Sequence, residues 1–257
     1  MTKSSLPNFG LHGKVVMVTG AGRGIGRACA LACAESGADI IAIVRDNNAG
    51  MELVSAIEAL GRRALLVRLD ISETREIEAA VHDAVANFGQ IDVLVNNIGI
   101  SRRNLAQSIS EEDFDLVLGT NLKGTFFLTQ AVARTMIERK AGRILNISSQ
   151  AGTVTLRGES IYCMSKAAIN HLSRCLAAEW GPLGIAVNSI SPTFIWTDST
   201  RPYLSDPDSY RQTLAHIPLG RIGETDDVAA AVVYLASPAG SLVNGANLMI
   251  DGGWSIA

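Results

Sequence analysis

The sequence predicts an α/β protein: a single domain over residues 1–257, built on a doubly wound parallel β-sheet with helices on both faces. Three observations carry this prediction. Seven short apolar runs alternate with helical patterns, the runs are apolar throughout rather than at every second residue, and no repeat or low-complexity linker divides the chain. Strands of that kind belong in a parallel sheet whose two faces are both covered.

The elements follow in order. "KVVMVT" is the first strand and leads through "TGAGRGIG" into the Ala-rich helix "IGRACALACAESG". "DIIAIV" is followed by the helix "GMELVSAIEALG", then "ALLVRL" by "TREIEAAVHDAVANFG", and "IDVLVNN" by one long helix from Glu111 to about Arg139. "RILNIS" precedes the helix "YCMSKAAINHLSRCLAAEW", "IAVNSIS" precedes a long connection, and "TDDVAAAVVYLAS" precedes the last strand, "NLMI". The stretch from Pro192 to Pro218 mixes Pro, Asp, Ser and aromatics without a sustained period, and residues 193–218 read as a substrate lid.

Composition narrows the function. With 47% apolar and 18% charged residues the chain has ample material for a core. A net charge of −3 lacks the basic excess of a nucleic-acid binder. The apolar runs are strand-sized, far short of the ~20 residues a membrane span needs. The opening "MTKSSLPNFGLHGK" has no signal-peptide core, so a cytoplasmic location is expected. Cys29, Cys33, Cys163 and Cys175 form no C-x-x-C pair and read as reduced packing residues. His12, His82, His171 and His216 form no metal-ligand motif, so no metal is expected.

Gly20, Gly24 and Gly26 are spaced G-x-x-x-G-x-G, neither the G-x-G-x-x-G fingerprint nor a P-loop. The physics is still that of a phosphate turn, because glycines let the backbone approach a ligand and the following helix offers unpaired N–H groups to an anion. Tyr162 and Lys166 lie four residues apart in a helical pattern, so both project from one face. Ser149 ends a strand, where parallel-sheet proteins place ligand groups. Asn121 lies inside the long helix, where Asn lowers helix propensity, and Asn96 and Asn97 close "IDVLVNN".

From about Leu11 to Gly253 the ordered set "TGAGRGIG", "LDIS", "NNIG", "NLKG", "ISS", "YCMSK", "SPTFIWT" and "DGG" resembles the short-chain dehydrogenase/reductase family, with its Rossmann-type fold. The resemblance implies hydride transfer between a nicotinamide and a carbonyl or secondary alcohol. It implies Asn121, Ser149, Tyr162 and Lys166 as the catalytic set. Tyr162 would move the proton, and Lys166 would lower its pKa and hold the nicotinamide ribose. Ser149 would bond the substrate oxygen, and Asn121 would anchor a relay water. The cofactor set it implies is Gly20, Arg23, Gly24, Ile25, Gly26, Arg45, Asp70, Ile71, Asn97, Gly99, Tyr162, Lys166, Pro192, Ile195 and Thr197. Two positions depart from the family pattern: Ile98 replaces its usual Ala and Thr193 its usual Gly, expected to affect the adenosine side and the loop beneath the nicotinamide.

Arg45 at the tip of the second strand, with Arg23, leans toward NADP(H) over NAD(H), while Asp46 next door could reach a ribose instead. Asp70 is either an adenine acceptor or a turn residue. Ser101, Arg102, Arg103, Gln150, Arg157 and Glu159 make a polar wall around the centre, and Trp196 lies on the lid. Such a wall suits a small polar substrate better than a steroid or long acyl chain. "NNIGISRRN" and "DGGW" are similar to sugar-acid and polyol members, so a keto sugar acid or related sugar or polyol is expected. Arg102, Arg103 or Arg157 is the expected carboxylate clamp. The alternatives are 3-oxoacyl-acyl-carrier-protein reduction and a non-catalytic nicotinamide-binding sensor. The resemblance also implies a homotetramer, with surplus apolar residues such as Phe126, Phe127 and Leu128 meeting another subunit.

Overall fold

A computed structural model describes residues 7–257, so the first residues of the polar opening lie outside the described part. Seven strands, β1 (Val15–Thr19), β2 (Asp39–Val44), β3 (Ala64–Arg68), β4 (Val93–Asn96), β5 (Gly142–Ile147), β6 (Ile185–Pro192) and β7 (Asn247–Ile250), form one sheet. Their order is β3-β2-β1-β4-β5-β6-β7, and all six pairings are parallel. The chain winds outward from β1 through β2 to β3, then restarts at β4 on the other side of β1. That reversal opens a crevice at the carboxyl ends of β1 and β4, where α/β sheets bind ligands.

The helices are α1 (Gly24–Glu35), α2 (Asn47–Ala59), α3 (Ile77–Phe88), α4 (Glu111–Leu118), α5 (Thr125–Arg139), α6 (Ser160–Trp180), α7 (Arg201–Leu204), α8 (Pro207–Ala215) and α9 (Thr225–Ala236). Alternate residues of β1 serve opposite cores, as the pleat requires. Val16 and Val18 pack with Cys29 and Cys33 of α1, Leu53 of α2 and Val228 and Val232 of α9. Met17 packs on the other face with Val81 of α3, Leu128 and Met136 of α5 and Leu176 of α6. Each such buried side chain contributes roughly 1.5–3 kcal/mol relative to an exposed one, so the apolar-throughout strands are explained by two cores rather than one. Among the described residues no helix is long and apolar enough to cross a membrane.

Four readings of the sequence need correction. The segment from Glu111 to Arg139 is two helices joined by a π-helical turn, Gly119–Gly124. Gly124 sits so close to Ile71 that a Cβ would lie 2.4 Å from that residue's carbonyl oxygen, which sets the path of the wider turn. The stretch after β6 carries α7 and α8, each with a proline in its first turn and α8 capped by Asp206 on the Ser209 N–H at 2.9 Å. Such short helices show no period. Finally, Cys175 is exposed and Leu128 is buried in its own chain's core, so Cys175 is no packing residue and Leu128 is not free to meet a partner.

Candidate active site

The turn between β1 and α1 is shaped by glycine. Gly20 and Gly24 have φ of +64° and +53°, where side chains are strained. A Cβ on Gly26 would lie 2.3 Å from the Gly20 carbonyl oxygen, so the helix can start this close to the strand only with glycine there. Arg23 occupies the N-cap of α1 without a side-chain bond to it, and the first turn holds no acidic residue. The first N–H groups of α1 therefore face the crevice unsatisfied by protein, which fits a dinucleotide's phosphates. Half-buried Ile25 packs against the core behind them. The segment after β6 reaches the same point, with the Thr197 methyl 3.4 Å from the Cβ position of Gly24.

Asn97 braces the glycine turn. Its backbone N–H donates to Thr19 Oγ1 at 2.8 Å and its Nδ2 to the Thr19 carbonyl at 3.0 Å, so it fastens β4 to the glycine turn. Ile98 lies against that turn, its Cγ1 3.2 Å from the Cβ position of Gly20.

At the second strand's tip Arg45 is exposed and its guanidinium stands 3.9 Å from Asp70. Asp46 is engaged otherwise, capping α2 through the Asn48 N–H at 3.0 Å. Asp70 is a turn residue, its Oδ1 accepting from the Ser72 N–H at 3.0 Å and the Ser72 hydroxyl at 2.7 Å. Against the cost of partial burial, those bonds and Arg45 hold its carboxyl below the ordinary value. Its second oxygen remains on the Arg45 side.

Ser149, Tyr162, Lys166 and Asn121 come together at the ends of β4 and β5. Ser149 caps a 3₁₀ turn, its Oγ accepting from the Ala151 N–H and donating to Gln150 Oε1, both at 3.1 Å. Lys166 is buried, and its Nζ donates to the Ile147 carbonyl at 2.9 Å while standing 5.6 Å from the centre of the Tyr162 ring. Burial pushes Lys166 down to about 8. Burial pushes Tyr162 up to about 12; the Ser149 hydroxyl pulls it down, and Glu159 and Cys163 push it further up. Burial is thus the largest influence on both groups, and the ammonium bonds the Ile147 carbonyl.

Asn121 hangs in the π-helical turn with its amide fully engaged. Oδ1 accepts from the Ile100 N–H at 2.8 Å, and Nδ2 donates to the Ile100 carbonyl at 2.9 Å and Ser165 Oγ at 3.0 Å. The side chain thereby ties the loop after β4 to α6. Gly99 leaves room for Lys166, since a Cβ there would lie 2.9 Å from Nζ.

The family model described as Enoyl-(Acyl carrier protein) reductase matches residues 20–255. The chain belongs to the short-chain dehydrogenase/reductase family. It is an NAD(P)-dependent oxidoreductase of alcohol and keto groups. Over 253 residues it is 43% identical to D-threitol dehydrogenase of Mycolicibacterium smegmatis, covering 97% of this chain and 95% of that one. It is 38% identical to 2-dehydro-3-deoxy-D-gluconate 5-dehydrogenase of Dickeya dadantii, covering 97% and 98%. It is also 38% identical to a 3-oxoacyl-acyl-carrier-protein reductase of Salmonella typhimurium, covering 94% and 97%. Among solved structures, a gluconate 5-dehydrogenase from Burkholderia cenocepacia in complex with NADP and tartrate superimposes with a TM-score of 0.95 at 34% identity, covering 99% and 100%.

Beneath the centre of this dehydrogenase runs a buried polar chain that the sequence reading missed. Asn96 of β4 donates to Thr129 of α5 and to Asn146 of β5, both at 2.8 Å, and Asn146 donates to Ser173 of α6 at 2.9 Å. The signal was an Asn closing each of two apolar strand runs; buried amides demand partners, and these partners align the strands with the helix that carries Tyr162.

On the substrate side the expected residues separate. Arg102 is turned onto α4, its Nε 3.4 Å from Asp113. Arg103 lies over the ring of Tyr203 in α7 at 5.7 Å, and Arg157 is exposed with no ion pair among the described residues. Gln150 is buried against Ser149, and Ser101 donates to Glu159. Trp196 stacks on Tyr210 at 6.3 Å, within a cluster of Phe194, Tyr203, Leu204, Ile217 and Trp254. Ile195 is buried and bridges to Gly223, and Pro192 closes the pairing of β6 with β7 opposite Ile250. Thr193 carries a buried hydroxyl without a partner.

Proposed function

We propose that this chain interconverts a secondary alcohol and its ketone on a small polar carbohydrate, a polyol, sugar or sugar acid, with the reactive carbon seated between Ser149 and Tyr162. The observation that carries this reading is the grouping of Ser149, Tyr162 and Lys166 at the end of β5, beside an α1 N-terminus left open for phosphate. A bound nicotinamide dinucleotide would supply the hydride acceptor or donor.

Tyr162 takes up or returns the hydroxyl proton. Its hydroxyl is suited to donating at neutral pH, because burial keeps it protonated. Ser149 turns its hydroxyl from Gln150 to the substrate oxygen as charge grows there. Lys166, desolvated by burial and lowered to about 8, gives up or regains a proton more readily than an ordinary lysine and holds the ribose above Gly99. Asn121 keeps the Ile100 backbone and Ser165 in place around these groups.

Gly20, Gly24, Gly26, Ile25 and Arg23 form the phosphate turn. Ile71, Asp70, Gly99, Pro192, Ile195 and Thr197 shape the rest of the cofactor's bed, with Asn97 as its brace. Arg45 with Arg23 makes NADP(H) the preferred cofactor, since Asp46 is engaged as a helix cap and does not compete for a ribose. Residues 193–218 close over the substrate as a lid of the one domain.

The subunits form a homotetramer. Phe114, Leu116, Phe127 and Met164 stay exposed along α4–α6, and Leu242 and Ile256 at the C-terminal edge. Unpaired thiols on all four cysteines suit the cytoplasm. The test is initial rates with NADP⁺ and NAD⁺ on alditols and aldonates. Turnover of at least one of them supports the reading, while cofactor binding without turnover across the panel replaces it with a sensor. Likeness to an acyl-carrier-protein reductase favours the second reading, and faster reduction of a 3-oxoacyl thioester would establish it.

A further inference from the structure

Glu159 stands one turn before Tyr162 at the N-cap of α6, half-buried and without a capping bond of its own. One carboxylate oxygen, Oε2, accepts from the Ser101 hydroxyl. The other has no hydrogen-bond partner and the group no ion pair among the described residues, although three arginines lie on the neighbouring loops. Arg102 is drawn off by Asp113, and Arg103 by Tyr203. The backbone fixes the carboxylate from both sides: the Asn104 N–H donates to the Gly158 carbonyl at 2.9 Å, and the Cys163 N–H to the Glu159 carbonyl at 2.8 Å. The carboxyl group thus sits one helical turn from Tyr162, tied to the loop after β4 through Ser101, with one oxygen unused.

Resting on the carbohydrate reading, we propose that Glu159 is a specificity residue whose free oxygen accepts the hydroxyl on the carbon next to the one oxidised. The enzyme accordingly takes a vicinal diol and rejects a carboxylate at that neighbouring carbon. A hydroxyl donates to a carboxylate as Ser101 already does here, whereas a second carboxylate would meet like charge at short range. A sugar acid is still accepted when its acid group lies several carbons from the reacting centre, toward exposed Arg157.

Four-carbon probes test this: butane-2,3-diol, butan-2-ol and 2-hydroxybutyrate, compared by kcat/KM in the wild type, Glu159→Leu and Glu159→Gln. The diol should exceed the alcohol by roughly 10–100-fold in the wild type, the worth of a hydroxyl bonded to a charged acceptor. Glu159→Leu should bring that ratio near one. Glu159→Gln should keep part of it and raise 2-hydroxybutyrate about tenfold. Both variants should show at most a minor loss of melting temperature, because Glu159 makes no cap and its bond to Ser101 is exposed.

A diol-to-alcohol ratio near one in the wild type, or a ratio untouched by Glu159→Leu, overturns the assignment. The carbohydrate reading fails separately, when alditols and aldonates are turned over more slowly than a 3-oxoacyl thioester whatever residue stands at 159.

Discussion

The floor of the cleft and the segment proposed as its lid are built by different forces. On the floor, Asn97, Asn121 and Lys166 each reach another segment through hydrogen bonds of 2.8–3.0 Å, and Asn96 with Asn146 locks two strands to α5 and α6 below them. The lid is an aromatic stack: Phe194 lies between Tyr203 and Trp254, each at 5.6 Å, and Trp196 lies on Tyr210. Directional bonds fix atoms to a few tenths of an ångström, as proton transfer demands. Stacked rings tolerate sliding, as admission of a substrate demands. Chemistry should therefore fail sharply when the floor is altered, and affinity should drift when the lid is.

The sharpest break is at the phenol. Tyr162→Phe should lower turnover by ~10²-fold or more, the worth of a positioned acid or base, while cofactor affinity measured by fluorescence titration stays within about threefold. Near-normal turnover would remove Tyr162 from the proposed mechanism.

Gly99→Ala tests whether position alone matters on the floor. The added methyl would lie 2.9 Å from Lys166 Nζ, so the ammonium that bonds the Ile147 carbonyl must shift. A displacement of that size should cost roughly 10–100-fold in turnover with little loss of melting temperature. Equal activity would mean that the lysine's placement has slack.

The difference between floor and lid also explains what the sequence could tell. The placement of Tyr162, Lys166 and Ser149 was legible because it follows from local spacing, a helical i, i+4 pair and a strand end, while their roles were implied by the family resemblance. The parallel sheet was legible because two cores leave no polar alternation in its strands. The lid helices were not, since four and nine residues opened by proline carry no period. Nor was the fate of Arg102, whose partner Asp113 lies on a separate element.

Lys166 offers a third test, through stability. Its folded pKa of about 8 lies below the ordinary lysine value, so between pH 8 and 10 the unfolded chain binds more protons than the folded one. Stability contributed by this residue must then rise with pH across that window, the cost of a buried ammonium being greatest below it. Urea unfolding should show the wild type gaining roughly 2 kcal/mol on Lys166→Met between pH 8 and 10. A constant difference would place the ammonium in contact with water.

At the rim of the floor, where bonds are exposed, the effect should be smaller and selective. Arg45→Ala should lower efficiency with NADP⁺ by about tenfold and change NAD⁺ by less than about twofold, because only the former carries a 2′-phosphate for the guanidinium. An unchanged cofactor ratio would make Arg45 solely a partner of Asp70.

The smallest effect is expected from the lid. Tyr203 stacks on Phe194 and receives Arg103 from the loop after β4, so it is a contact through which the lid touches the catalytic side. Tyr203→Ala removes one stacked pair and one cation–π contact, together roughly 1–2 kcal/mol, from a segment outside the two large cores. Loss of that contact should favour the open lid and raise KM about threefold to tenfold. Turnover at saturation should stay within about twofold, because Ser149, Tyr162 and Lys166 are held from below. Steady-state kinetics separate the two quantities, and a thermal melt on the same sample should show only a minor shift. If kcat falls with KM unchanged, the lid positions the reacting atoms itself, and the contrast between a rigid floor and a permissive lid is wrong.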